Sequence, residues 1–272
     1  MTTAGTCVTE HVLGLAPGRN GRPAVVDDAS GAVITYSRLA VTVRAAAAGL
    51  ARRGMRPGDV AGVYVASAPR FVLASLAIRA AGGVPSPVSP DACARTTEML
   101  LGEFDARMLI TDTCLEQAAL EITERCRVRQ VICFGDASET TRFDALLRAG
   151  MMRPLHRDGG DVALVAAMRE REGEPELVRV TYRELAAQMR RLALQARLAA
   201  WDIIVTGPPY GDGRGYSALL DLALAAGATV VGAPTAGRSH LLSAARTHRG
   251  TIAFVPPGVE LPGHGMRLIT IS

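Results

Sequence analysis

The chain has 272 residues, 49% of them hydrophobic, and carries a net charge of +4 made from 30 arginines without a single lysine. That is enough apolar material for one large domain or two compact lobes. Its basic residues are scattered rather than striped, which speaks against a nucleic-acid-binding face, and its apolar runs are broken by Arg, Gly or Pro before they reach membrane-spanning length.

In chain order, Thr35-Tyr-Ser-Arg-Leu39 opens an alanine-rich helix that Thr35 can cap. That helix is expected to run to about Arg53, with Gly54 as its stop. Pro57-Gly-Asp59 turns into the strand Val60–Val65, followed by a helix over Ala68–Ala81, the stop Gly82-Gly83 and the apolar run Val84–Val88. A helix near Arg95–Glu103 leads to the strand Arg107–Asp112. Arg153-Pro-Leu-His-Arg-Asp-Gly-Gly160 has the composition of a linker.

The pattern then repeats. Thr181-Tyr-Arg-Glu-Leu185 opens a helix to about Ala199, Asp202 precedes the strand Ile203–Val205, and a helix over Tyr216–Ala226 ends at Gly227 before the strand Thr229–Val231. A last helix at Ser239–Thr247 precedes the strand Thr251–Val255. Short β-branched strands alternating with helices imply mainly parallel sheets flanked by helices, an α/β fold of two similar lobes. The expected division is residues 1–160 and 161–272.

The cysteines at 7, 93, 114, 126 and 133 form no CxxC pair and read as reduced, mostly buried thiols rather than a disulfide set or zinc site. The first residues lack a basic segment followed by an apolar one, so no secretory signal is expected and the predicted location is cytoplasmic. His240 and His248 fall on one predicted helix, two turns apart and too distant to share a metal. No metal and no cofactor is expected.

Between Asp161 and Leu185 the chain resembles the third core motif of the adenylate-forming superfamily of acyl-CoA synthetases, luciferases and peptide-synthetase adenylation domains. In that family a buried strand runs into Ser-Ser-Gly-Thr-Thr-Gly-x-Pro-Lys-Gly-Val and then into Thr-His-x-x-Leu at a helix start. Gly173, Pro175, Thr181 and Leu185 fall on matching positions. The five small residues before the glycine are here Met168, Arg169, Glu170, Arg171 and Glu172, and Glu176 stands where the lysine belongs. The likeness extends to Ala80-Ala-Gly-Gly-Val-Pro-Ser-Pro87, Gly227-Ala-Thr-Val-Val231 and Thr251-Ile-Ala-Phe-Val-Pro-Pro257. It implies the N-terminal portion of the acyl-CoA synthetase fold, with the family's C-terminal domain and its catalytic lysine absent from these 272 residues.

A phosphate loop needs small residues, so that successive backbone N–H groups converge on the anion, and a cation to neutralise it. Glu170, Glu172 and Glu176 supply the opposite charge. A like charge at about 4 Å costs on the order of 4 kcal/mol at an effective dielectric near 20. Arg169 and Arg171 either grip an anion or pair with the neighbouring glutamates. The family's substrate gate, Pro-x-x-His-x-x-Gly, is similar to Pro209-Tyr-Gly-Asp-Gly-Arg-Gly215, with Asp212 in the gate position. Tyr210, Asp212, Arg214 and Gly215 are therefore the candidate ligand-contacting loop, against the alternative of a glycine-rich turn with solvated charges. The resemblance implies a catalytically silent relative retained for binding, holding a protein partner, a second copy of itself or a small molecule between the lobes. A strand edge left at the last residues favours such association. The alternative is an enzyme, either half of a split acid ligase completed by another chain or one using nucleotide-independent chemistry at residues 209–215.

Overall fold

The computed structural model describes residues 9, 20–168, 176–208, 213–255, 258–261 and 265–270. Strands β1 (Pro23–Asp27) and β2 (Val33–Thr35) form an antiparallel hairpin that runs directly into helix α1 (Tyr36–Arg52). Thr35 caps α1 as its sequence predicts, its Oγ1 accepting the Arg38 N–H at 3.3 Å. Then come β3 (Val60–Tyr64), α2 (Ala68–Ala80), β4 (Val84–Pro87), α3 (Ala94–Glu103) and β5 (Met108–Asp112). These agree with the expected elements to within a residue or so.

Sequence patterning assigns nothing between 113 and 149, where the fold places α4 (Glu116–Thr123), β6 (Gln130–Phe134), β7 (Thr141–Arg142) and 3-10 segments at Thr113–Leu115 and Phe143–Ala149. The cause is brevity. Two turns of helix and a two-residue strand are too short to display a period. The second half contains β8 (Val162–Met168), β9 (Glu176–Thr181), α5 (Tyr182–Ala196), β10 (Ile203–Thr206), α6 (Gly213–Ala226), β11 (Thr229–Gly232), α7 (Arg238–His248), β12 (Ile252–Val255) and β13 (Arg267–Thr270).

The architecture is α/β, with parallel sheets flanked by helices. One five-stranded parallel sheet has the order β4-β3-β5-β6-β7, and a six-stranded sheet has the order β13-β12-β10-β11-β1-β2, antiparallel only at β1–β2. The sheets do not divide at residue 160: the N-terminal hairpin completes the second-half sheet, with Val25 opposite Val230 on β11. Strands β8 and β9 form a separate antiparallel pair.

The repeated module of the sequence is a repeat of structure. In each copy a strand, a helix, a second strand on one side, a helix and a third strand on the other side give the orders β4-β3-β5 and β11-β10-β12. The details recur as well. Asp59 Oδ2 accepts the Arg56 N–H and Asp202 Oδ2 accepts the Ala199 N–H, both at 2.8 Å. Gly82 and Gly227 both sit at a φ of +82°, a left-handed position at the ends of α2 and α6 where glycine is strongly preferred.

The two copies meet at a buried ion pair. Arg79 on α2 and Asp221 on α6 are joined by two hydrogen bonds of 2.6 and 2.7 Å, with side chains only 5% and 3% exposed. Bidentate geometry is the arrangement in which a buried pair recovers most of its desolvation cost. Beside it, Ser75, Phe71, Leu164 and Leu220 line a cavity of about 20 Å³, room for a single water. The Ser75 Oγ has no hydrogen-bond partner among the described residues. On the far side of α1, Gly49 lies so close to the backbone of Leu146 that an added Cβ would be 2.5 Å from its Cα.

Truncating one partner leaves the other charge buried and alone. Arg79→Ala is therefore expected to lower unfolding free energy by about 3–5 kcal/mol, while the double change Arg79→Met, Asp221→Leu costs far less. Urea denaturation of the three proteins checks this; a single variant as stable as the parent would contradict it.

Candidate functional site

The hairpin β8–β9 is held on both faces. Leu164 and Ala166 point into the main core with Val178 and Val180, while Val165 joins the second core beside Tyr64, Val84 and Phe104. Arg179 adds a cation–π contact, its guanidinium carbon 4.8 Å from the centre of the Phe104 ring. The last rung of the hairpin pairs Met168 with Glu176. Residues 169–175, which join those two positions, include Arg169, Glu170, Arg171, Glu172 and Gly173 and lie outside the described residues. Glu176 is exposed at the base of the hairpin loop, where the adenylate-forming motif has its lysine.

Immediately after β9, α5 opens with a full capping box. Thr181 Oγ1 accepts the Glu184 N–H at 3.2 Å, and the Glu184 carboxylate accepts the Thr181 N–H at 2.8 Å. This satisfies two donors that a helix start leaves free. Both flanks of the motif are thus built as the sequence suggests.

The candidate ligand loop begins at the carboxyl end of β10. Tyr210 and Asp212 lie outside the described residues. Arg214 and Gly215, expected in the loop, belong instead to the first turn of α6, which starts at Gly213, earlier than the expected Tyr216. The reason is local: after Pro209 nothing up to Ala226 forbids helix, and glycine costs only about 1 kcal/mol relative to alanine.

Topology explains why this place suits a ligand. In each module the chain leaves the central strand to one side and later returns to the other, so the carboxyl end of that strand borders the crevice where parallel sheets bind ligands. In the first module that position is already filled. Asp112, at the end of β5 and 1% exposed, accepts the Ala66 N–H at 2.9 Å and pairs with Arg70 at 2.8 Å. The Arg107→Val60 and Thr251→Ile203 backbone bonds align the two copies, and the residue equivalent to Asp112 in sequence is then Pro256, which carries no carboxylate. Sequence reading misses this plug, although a lone acid closing the apolar strand Met108–Asp112 is a visible signal.

The other candidates separate. His240 contacts Thr235 at 2.9 Å and His248 contacts Asp28 at 2.9 Å, so each ring is engaged elsewhere. Among the described residues no group of three or more His, Cys, Asp or Glu side chains is placed to hold a metal. Burial of the cysteines is a correction: of the four described, only Cys133 is buried, Cys126 is half-buried, and Cys93 and Cys114 are exposed, all as free thiols. The two exposed ones sit where strands give way to helices, at the cap of α3 and in the turn after β5.

With that geometry in view, comparison with known proteins gives a family. A model of the AMP-binding enzymes matches residues 16–260. The chain belongs to that family. It is 26% identical over 244 residues to 4-coumarate–CoA ligase 3 of Oryza sativa subsp. japonica, a match covering 87% of this chain and 44% of that protein. A 30% identical match to 4-coumarate–CoA ligase 4 of Arabidopsis thaliana covers 40% of this chain and 19% of that protein. A long-chain-fatty-acid–CoA ligase of Archaeoglobus fulgidus superposes with a TM-score of 0.84 at 19% identity, over 94% of this chain and 53% of that one. Mycobacterium smegmatis MbtA gives 0.83 at 24% identity, over 93% and 48%. These likenesses show the fold. The chain spans 44% of the rice ligase it matches. Among the described residues no helix is long and apolar enough to cross a membrane.

The thiols give a direct check on the placement of the strand ends. Hydrogen bonds from Thr96 hold the exposed Cys93 thiol below its ordinary pKa, whereas burial, then the nearby Glu116 and Asp112, push Cys133 up to about 11. Reactivity follows the thiolate, so alkylation at neutral pH should label Cys93 first and Cys133 last, read by peptide mass spectrometry. For Cys133 the folded state favours the neutral thiol. Its contribution to stability is complete below the unfolded thiol pKa near 8.5 and is lost as pH rises through about 11. Early labelling of Cys133 in the folded protein would contradict this placement.

Proposed function

We propose that this AMP-binding family member is catalytically silent in nucleotide activation and acts as a binding or scaffold partner, in the cytoplasm and in association with a protein or a second copy of itself. The observation that carries this reading is Glu176: an exposed carboxylate at the base of the β8–β9 hairpin, in the lysine position of the family motif, joined to a loop that adds Glu170 and Glu172. Phosphate groups brought to the start of β9 meet the Glu176 carboxylate where the family offers a lysine. No other lysine is available in the 272 residues to take its place, and arginine, rigid and forked, does not reproduce a compact ammonium.

A second reading has a specific basis. The match covers about half of a full-length ligase, so the chain can be read as one part of a split acid ligase whose nucleotide grip is supplied by another polypeptide. A carboxylic acid substrate comes to this chain only by that analogy.

Restoration separates the two. Replacing Met168–Glu172 with Ser-Ser-Gly-Thr-Thr and making Glu176→Lys should raise magnesium-ATP affinity on the order of a thousandfold, the equivalent of about 4 kcal/mol. Calorimetry on parent and variant reads the difference. If the grafted loop binds no better than the parent, the acidic substitutions are not what disables the site.

A further inference from the structure

We propose that the outer face of α5 and the turn after it dock an acidic amphipathic helix of a partner protein. This deepens the binding-partner reading above and rests on it. The inner face of α5 is accounted for, since Tyr182, Leu185, Leu192 and Ala196 are buried in the core. The outer face carries Leu194 at 80% exposure, and the following turn carries Trp201, the only tryptophan of the chain, at 76%. Neither side chain contributes to the core, and both are residue types a soluble surface ordinarily avoids exposing so fully.

Their surroundings are basic. Arg190, Arg191 and Arg197 are exposed and stand four before, three before and three after Leu194, spacings that put Arg190 and Arg191 beside it on the helix and Arg197 just beyond its end. Among the described residues none of the three has an ion-pair partner. Residues 190–201 contain no Asp or Glu. Glu184, about two turns nearer the start of α5 than the arginines, has its carboxylate committed to the cap at Thr181. A shallow groove lined by Val180, Glu184, Ala187, Gln188 and Arg191 runs along the same helix.

The turn that presents Trp201 is firmly held. Arg267 donates to the Ala196 carbonyl at 2.7 Å and to Asp202 at 3.2 Å, Arg22 donates to the Ala200 carbonyl, and Asp202 also accepts from Thr251 at 2.8 Å. An exposed leucine and an exposed tryptophan on a firmly held turn, with exposed arginines close by in sequence, have the composition of an interface centre. Carboxylates answer the arginines with charge-assisted hydrogen bonds, and an apolar stripe answers Leu194 and Trp201. A lipid surface fits less well: the apolar face of α5 is spent on the core, and two outward apolar side chains give little to insert.

Trp201 reports on the patch directly because it is the only indole. The full chain is titrated with a synthetic helical peptide bearing a leucine stripe flanked by glutamates, and with its lysine counterpart, while emission is followed. The acidic peptide should produce a saturable blue shift that weakens as salt is raised, and the lysine peptide none. The double substitution Arg190→Glu, Arg191→Glu should weaken binding at least about tenfold and Leu194→Ala by several-fold, with circular dichroism unchanged at these exposed positions. The proposal is overturned by no shift, by equal response to both peptides, or by variants that bind like the parent. It is also overturned if anionic vesicles and not the peptide give the shift, or if sedimentation shows that Leu194→Glu turns a dimer into a monomer. Loss of docking leaves the silent-site reading standing, whereas nucleotide binding would remove that reading whatever the peptide does.

Discussion

The structure is organised around one buried pair of charges. Arg79 and Asp221 lie 142 residues apart in sequence, yet their contact fixes α2 of the first module against α6 of the second. Asp221 therefore sets the position of the helix that begins just after residues 209–212. Leu164 of β8 lines the cavity beside the pair, so the strand leading to residues 169–175 is seated on the same support. The described elements on either side, β8 and α6, thus both pack at this buried pair. A pair of this kind specifies how two surfaces register more than it stabilises them, because its attraction is largely offset by the water each charge gives up.

Given that seam, the two modules have diverged in one telling respect. Each is a three-strand unit with a crevice at the carboxyl end of its central strand. The first has closed its crevice internally, with Asp112 accepting from a helix-entry N–H and from Arg70. The second has a proline at the corresponding place in sequence, followed by another, and no carboxylate there. The two copies therefore share topology while differing in whether a carboxylate closes the crevice of the central strand.

Much of this is legible in the sequence. Thr35 and Thr181 announce helix starts because a cap is a local interaction, and Gly82 and Gly227 announce stops because a left-handed residue is a local requirement. The repeat follows from those signals. The rest was hidden for equally physical reasons. That β1 pairs with β11 rather than with the strands nearest in sequence is decided by packing between distant segments, and no periodicity encodes it. Arg79 and Asp221 each sit among apolar neighbours in their helices, and only the fold shows that they face one another. At the candidate site the flanks are readable from Thr181, Leu185 and the strand residues, and Glu176 is exposed at the start of β9. Arg214 and Gly215 look like turn residues in sequence but belong to a helix.

The proposed silence rests on charge: Glu170, Glu172 and Glu176 stand in sequence where the family motif has small residues and a lysine. The most direct measurement is calorimetric titration of the unmodified chain with magnesium-ATP, alongside pyrophosphate release in the presence of a panel of carboxylic acids. The account predicts no heat of binding at millimolar nucleotide and no pyrophosphate. Saturable micromolar binding, or acid-dependent pyrophosphate release, would contradict it.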